Sequence, residues 1–135
     1  MPSAAWSLQK AVFAALTADA PLVALLGVAR IYDDVPQSSN FPYLTFGQST
    51  ARDWSTASED GSEHTITLNV WSQAKGRNEV HEIMSAARAV LHGQPLTLDG
   101  HRLINLRHES SEARRASDGE TYHGVSRFRA VTEPE

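Results

Sequence analysis

The feature that most constrains the fold is a change of hydrophobic period between residues 64 and 91. From His64 to Ser72, Ile66, Leu68 and Val70 alternate with Thr65, Thr67, Asn69 and Trp71. That period of two marks a strand with one buried face. After the turn residues Gln73-Ala-Lys-Gly76 the period becomes helical, and Val80, Ile83, Met84, Ala87, Val90 and Leu91 form one stripe without a slip. Gly93 offers a left-handed exit and Pro95 prevents continuation. A half-apolar strand running into a half-apolar helix buries both faces when the helix lies flat on the sheet.

The flanking segments supply the rest of that sheet. Tyr43 to Asp53 reads as a strand with Leu44 and Phe46 on one face. Residues 54–62 are rich in Ser, Thr, Ala, Glu, Asp and Gly and read as a loop, so 43–72 is expected to be a long antiparallel hairpin. Beyond the helix, Leu96-Thr-Leu98, a tight Asp99-Gly100 turn and a strand from His101 to about Glu109 form a second hairpin. A charged loop is expected over Ser110 to Gly119, then a last strand from Thr121 to Thr132 and a polar tail, Glu133-Pro-Glu135.

At the start, Ser3 is placed to cap a helix over about Ala4 to Ala18, with Leu8, Val12, Ala15 and Leu16 as its apolar stripe. Trp6 and Phe13 fall on a neighbouring stripe and are expected to widen the core face, the alternative being a contact with another subunit. Asp19-Ala-Pro21 restarts a short helix that Gly27 ends. Ile31-Tyr32 is a short extended piece, and Asp33-Asp34-Val35-Pro36 is turn chemistry rather than a cation site. The expectation is one α+β domain spanning 1–135: a mainly antiparallel twisted sheet, two main helices packed on one face, and a long hairpin.

Composition narrows the function classes. The 135 residues fit one domain, and 41% hydrophobic with 21% charged residues describes an ordinary globular chain. Zero cysteines exclude disulfide frameworks and thiolate metal sites. A net charge of -4 argues against a general nucleic-acid binder. No apolar run approaches the roughly 20 residues that span a bilayer, and no signal-peptide pattern opens the sequence. The chain is expected to be neither exported nor membrane-bound.

Catalytic and metal chemistry find no pattern to stand on. His81 and His92 lack the spacing that puts two imidazoles on one helix face, and His101 and His108 are expected on opposite faces of their strand, roughly 20 Å apart by strand rise. There is no Gly-x-Ser-x-Gly elbow, and the glycines are scattered among turns rather than grouped as a phosphate cradle. Asp33/Asp34 and Glu59/Asp60 lie in loops without an apolar pocket to tune them. No catalytic residue, metal ligand or cofactor is expected, and the chain reads as a non-enzyme. Charge distribution is more informative. Asp53, Glu59, Asp60 and Glu63 form an acidic run with no Lys or Arg among them, whereas Arg102, Arg107, Arg114 and Arg115 outnumber Glu109 and Glu112. These runs are either solvated faces or complementary patches between subunits. On the last strand, His123, Val125, Arg127, Arg129 and Val131 share a face, which fits a half-open sheet or, more sharply, a ring lumen or subunit contact through Arg127 and Arg129.

Several motifs together carry a resemblance. They are Ile31-Tyr-Asp-Asp-Val-Pro36, Phe41-Pro-Tyr-Leu-Thr-Phe-Gly47, His64-Thr-Ile-Thr-Leu-Asn-Val-Trp-Ser-Gln73, and Leu96-Thr-Leu98 with Gly100-His-Arg-Leu103. With the helical N-terminus, the chain resembles the tail-terminator (tail-completion, or head–tail joining) proteins of long-tailed phages and gene transfer agents. The resemblance implies a structural protein forming a homo-hexameric ring that caps the tail tube, stops its polymerisation and offers a docking surface to the head connector. Its implied partners are further copies of itself, the tail tube protein and a head-side connector or stopper, with DNA passing transiently and non-specifically through the lumen. The implied location is the cytoplasm during assembly and then the head–tail junction of the particle. A neck, connector or tail-tube subunit is the alternative within assembly proteins, and a small ligand-binding enzyme the remote one. The loop 54–62, polar except for Trp54, is expected to order only against neighbours or the tube.

Overall fold

The computed structural model of the chain describes residues 3–37 and 39–135. Three helices, α1 (Ala4–Thr17), α2 (Ala20–Leu26) and α3 (Asn78–Leu91), cover one face of a six-stranded sheet. The strands are β1 (Ile31–Tyr32), β2 (Tyr43–Asp53), β3 (Ser62–Ser72), β4 (Thr97–Leu98), β5 (His101–Arg115) and β6 (Tyr122–Pro134), in the order β1-β2-β3-β6-β5-β4. Every pairing is antiparallel except β1 with β2.

Local chemistry explains the helix ends. The Ser3 hydroxyl accepts from the Trp6 N–H at 3.1 Å, and the Asp19 carboxylate accepts from the Leu22 N–H at 3.1 Å. Gly27 ends α2 at φ 89, and the Arg30 guanidinium donates to the Leu26 carbonyl at 2.7 Å, answering an otherwise unpaired helix-end acceptor. Asp19→Ala is expected to lower unfolding free energy by about 1 kcal/mol, read by denaturant titration. An unchanged midpoint would show that Pro21 alone starts this helix.

The core lies between helices and sheet. Leu8, Val12 and Leu16 of α1, Leu22 and Leu26 of α2, and Val80, Ile83, Met84, Ala87 and Leu91 of α3 meet Leu44, Ile66, Leu68, Val70, Leu106, Phe128 and Ala130. Gly124 sits under α3, where an added Cβ would run into Val80 and come within 2.9 Å of the Met84 sulfur. The glycine lets the helix approach the sheet closely.

Several expectations need correction. Trp6 and Phe13 do not widen the core: they are 48% and 41% exposed on the outer side of α1. The expected loop 110–119 is mostly strand, since β5 continues to Arg115 and the turn spans only 116–121. Residues 110–115 are almost all exposed, so no alternation marks them, and backbone pairing to β6 holds them extended. The expected tail is also strand through Pro134, because Arg102 and Glu133 pair across β5 and β6. His101 and His108 share a face: a register shift between Leu103 and Asn105 lets them pair with Pro134 and Phe128, which lie on the same side of β6.

Both sheet edges are largely open. β1 covers only Leu44 and Thr45 of β2, and β4 covers only His101 and Arg102 of β5. The end of α3 pins β5 at two further points, Gly93 N–H to Leu106 carbonyl at 2.7 Å and His108 N–H to His92 Nδ1 at 2.9 Å.

Candidate assembly surface

The face away from the helices collects most of the charge. Tyr43, Trp71, His123 and Arg114 lie in one row across four strands. Trp71 and His123 stack with ring centroids 3.9 Å apart and planes 4° from parallel. The Trp71 indole N–H donates to Thr45 Oγ1 at 3.2 Å, and His123 Nε2 lies 2.7 Å from Asn69 Oδ1. Aromatic stacking and hydrogen bonds thus fasten the far end of this face without a covering layer. Burial, helped by the Arg114 guanidinium, holds the His123 pKa below its ordinary value.

The expected acidic patch divides into used and unused groups. Asp53 accepts from the Ser55 hydroxyl and N–H at 2.5 and 3.0 Å, which lowers its pKa and shapes the start of the loop. Glu63 lies between Arg52 and Arg129, and these two guanidiniums lower its pKa. Its side chain is only 15% exposed, so it is already committed within the subunit. Glu59 and Asp60 stand at the tip, exposed and without an ion pair among the described residues.

The basic stretch is also divided. Arg102 donates to Glu133 at 2.6 Å, and Arg127 to Glu112 at 3.3 Å. Arg107 faces Arg129 directly across β5 and β6. Arg115 donates to the Tyr122 hydroxyl at 2.9 Å. Arg114 is exposed and forms no ion pair among the described residues. Arg114 and Arg115 are at the Tyr122 end of β6, whereas the acidic loop joins the sheet beside Thr132. The two ends are roughly 30 Å apart at the usual strand rise.

Two residues near the acidic loop were not singled out from sequence. Trp54 is 49% exposed, with the Arg129 guanidinium 5.0 Å from its ring centre, and Ile104 is 47% exposed. The adjacent apolar pair Leu103-Ile104 was the available signal: an alternating strand with two successive apolar residues points to a bulge that turns one of them outward.

The interior offers little for catalysis. His64 is buried beneath α1, with Nε2 2.9 Å from Thr132 Oγ1, beside a space of about 20 Å³ that has room for water alone. Among the described residues no group of three or more His, Asp or Glu could hold a metal. Burial, with a smaller push from His101, holds the His64 pKa below 6.5. The unfolded chain therefore binds the proton more readily, so this contribution to stability is full above about pH 6.5 and is lost as pH falls through the folded value. Thermal stability is expected to drop between pH 7.5 and 5, and His64→Gln should flatten the slope. Some slope should remain, because burial also lowers His108 and His123. Parallel melting profiles for wild type and variant would exclude His64 as the titrating group.

The family model described as tail completion protein gp17 matches residues 10–133. The chain belongs to this tail-completion family. A chain in the virion of a native gene transfer agent particle is 31% identical, with 98% of this chain and 99% of that chain covered and a TM-score of 0.90. The bacteriophage SPP1 gp17 protein is 23% identical over 94% of this chain and 89% of its own, with a TM-score of 0.62, a likeness of fold. No curated protein matches the sequence. Tail completion is a structural task, and for a tail-completion protein the outward face and the two sheet ends are the surfaces to explain.

Proposed function

We propose that this tail-completion protein forms a homo-hexameric ring that caps the finished tail tube, stops its polymerisation and presents a docking surface to the head-side connector. The observation that carries this reading is the end-to-end match, at TM-score 0.90, to a chain of a gene transfer agent virion. The surface supports it. A closed ring needs two different patches on each subunit, and Glu59/Asp60 and Arg114/Arg115 lie at opposite ends of one sheet. Asp53, Glu63, Arg102 and Arg107 then serve to shape these ends.

The outward face with Arg127 and Arg129 is the candidate lumen or subunit contact. Carboxylates already answer both arginines, so DNA passing by would meet weak, sequence-independent attraction. Assembly takes place in the cytoplasm, and the ring ends at the head–tail junction of the particle. Negative-stain microscopy of the purified protein tests the reading, with rings of one diameter expected. Open filaments would indicate a tail-tube subunit instead, and particles that never exceed monomer size at high concentration would remove the ring altogether.

A further inference from the structure

We infer that the cleft beside Trp54 is a socket for Arg114 of a second copy of this chain. The inference rests on the ring reading and names its contact. The cleft, about 370 Å³, is bounded by Trp54, Glu59, Asp60, Ile104, Val131 and Glu133. Trp54 and Ile104 leave large apolar surfaces in solvent here, while Val131 is buried beneath them. Arg129, itself tied to Glu63, lies over the Trp54 ring and fixes the indole from one side. Of the acids on the rim, Glu133 is answered by Arg102, which leaves Glu59 and Asp60 uncompensated.

An apolar floor under free carboxylates fits a side chain that is aliphatic along its stem and cationic at its tip. Arginine has that form, with a planar head that stacks on indole and bonds carboxylates. Within the subunit, Arg52, Arg102, Arg127 and Arg129 are paired to acids, and Arg30 and Arg115 are held by a carbonyl and a phenol. Arg107 lies mid-strand opposite another arginine. Arg114 stands beside the β5–β6 turn, at the end of the sheet away from the cleft. A protruding hairpin end can enter a cleft of this size, and a mid-sheet side chain cannot. Because socket and plug occupy opposite ends, each subunit engages one neighbour with each, and a closed ring follows when the repeated rotation returns to its start.

The chain has no cysteine, so introduced thiols are the only ones present. Ile104→Cys places a thiol on the socket floor and Ser117→Cys one on the turn beside Arg114. After assembly at low salt and treatment with a short bismaleimide, the double variant should give a ladder of covalent oligomers. Adding Arg114→Glu should abolish the ladder, and adding Arg115→Glu should leave most of it. Rings by microscopy without a ladder would overturn the socket while the ring reading stands. A ladder indifferent to Arg114→Glu would overturn the role of that arginine. Wild-type protein that forms neither rings nor higher oligomers would overturn both readings.

Discussion

Reversing both Arg114 and Arg115 to glutamate is expected to abolish rings while the subunit stays folded. Both side chains are exposed, so neither supports the core; the only bond lost within the subunit is that from Arg115 to the Tyr122 hydroxyl. Between subunits the change would set four carboxylates against one another, Glu59 and Asp60 facing the two new ones. Like charges in one contact select against that contact as firmly as opposite charges favour it. A ring repeats the contact at every joint, so a modest penalty per joint multiplies. Changing Glu59 and Asp60 to lysine in the same chain should restore part of the assembly. Wild-type assembly should also weaken as salt approaches about 1 M, where screening contracts to roughly 3 Å. Sedimentation with microscopy reads all of these. If the fourfold variant assembles no better than the double reversal, the acidic loop and the arginine end do not meet.

Gly124→Val is expected to have the largest effect on folding. Gly124 pairs with Val70 on one side and Ala113 on the other, with α3 directly above. Any Cβ there meets Val80, whose branched side chain has little freedom to move aside, and the Met84 sulfur. The helix has to lift, and Val80, Ile83, Met84, Ala87 and Leu91 all bury their side chains by being where they are. Overpacking of this kind costs about 1–3 kcal/mol, and valine, larger than alanine, belongs at or beyond the upper end. Gly124→Ala should therefore lower Tm by about 3–10 °C, at roughly 3–5 °C per kcal/mol for a domain of this size. Val80→Ala in the same chain should recover part of it by making room. A Gly124→Ala variant as stable as wild type would show that α3 adjusts freely over the sheet.

Much of the fold was legible because periodic burial wrote it into the sequence. Residues Tyr43–Asp53 form β2 as expected, and the stripe ending at Leu91 marks the end of α3. What failed to register lies where burial stops. Ser110–Arg115 is strand through its backbone partners on β6, and a polar edge strand carries no alternation to read. The shift between Leu103 and Asn105 comes from the same pairing, and it turned His101 and His108 to one face against expectation. The candidate surface was legible as charge but not as chemistry. The sequence places Asp53 and Glu63 in one acidic run with Glu59 and Asp60. Only folding brings Arg129 to Glu63 from 66 positions away, and that removes Glu63 from the groups available to a neighbour.

The span of the sheet sets a scale for anything built from it end to end. The stretch from Tyr122 to Thr132 measures roughly 33 Å, so six such units laid around a circle would enclose a diameter of about 60 Å before the turns add their own width. Because β6 buries Tyr122, Gly124, Ser126, Phe128, Ala130 and Thr132 on one side, adding one residue to a strand would exchange its inward and outward sets. Relatives that keep this core can lengthen their strands only two residues at a time. Each such step adds about 6.6 Å per subunit, or about 13 Å to the diameter of a six-membered circle. The calibre of such a circle is therefore quantised, and it changes by notches rather than by degrees.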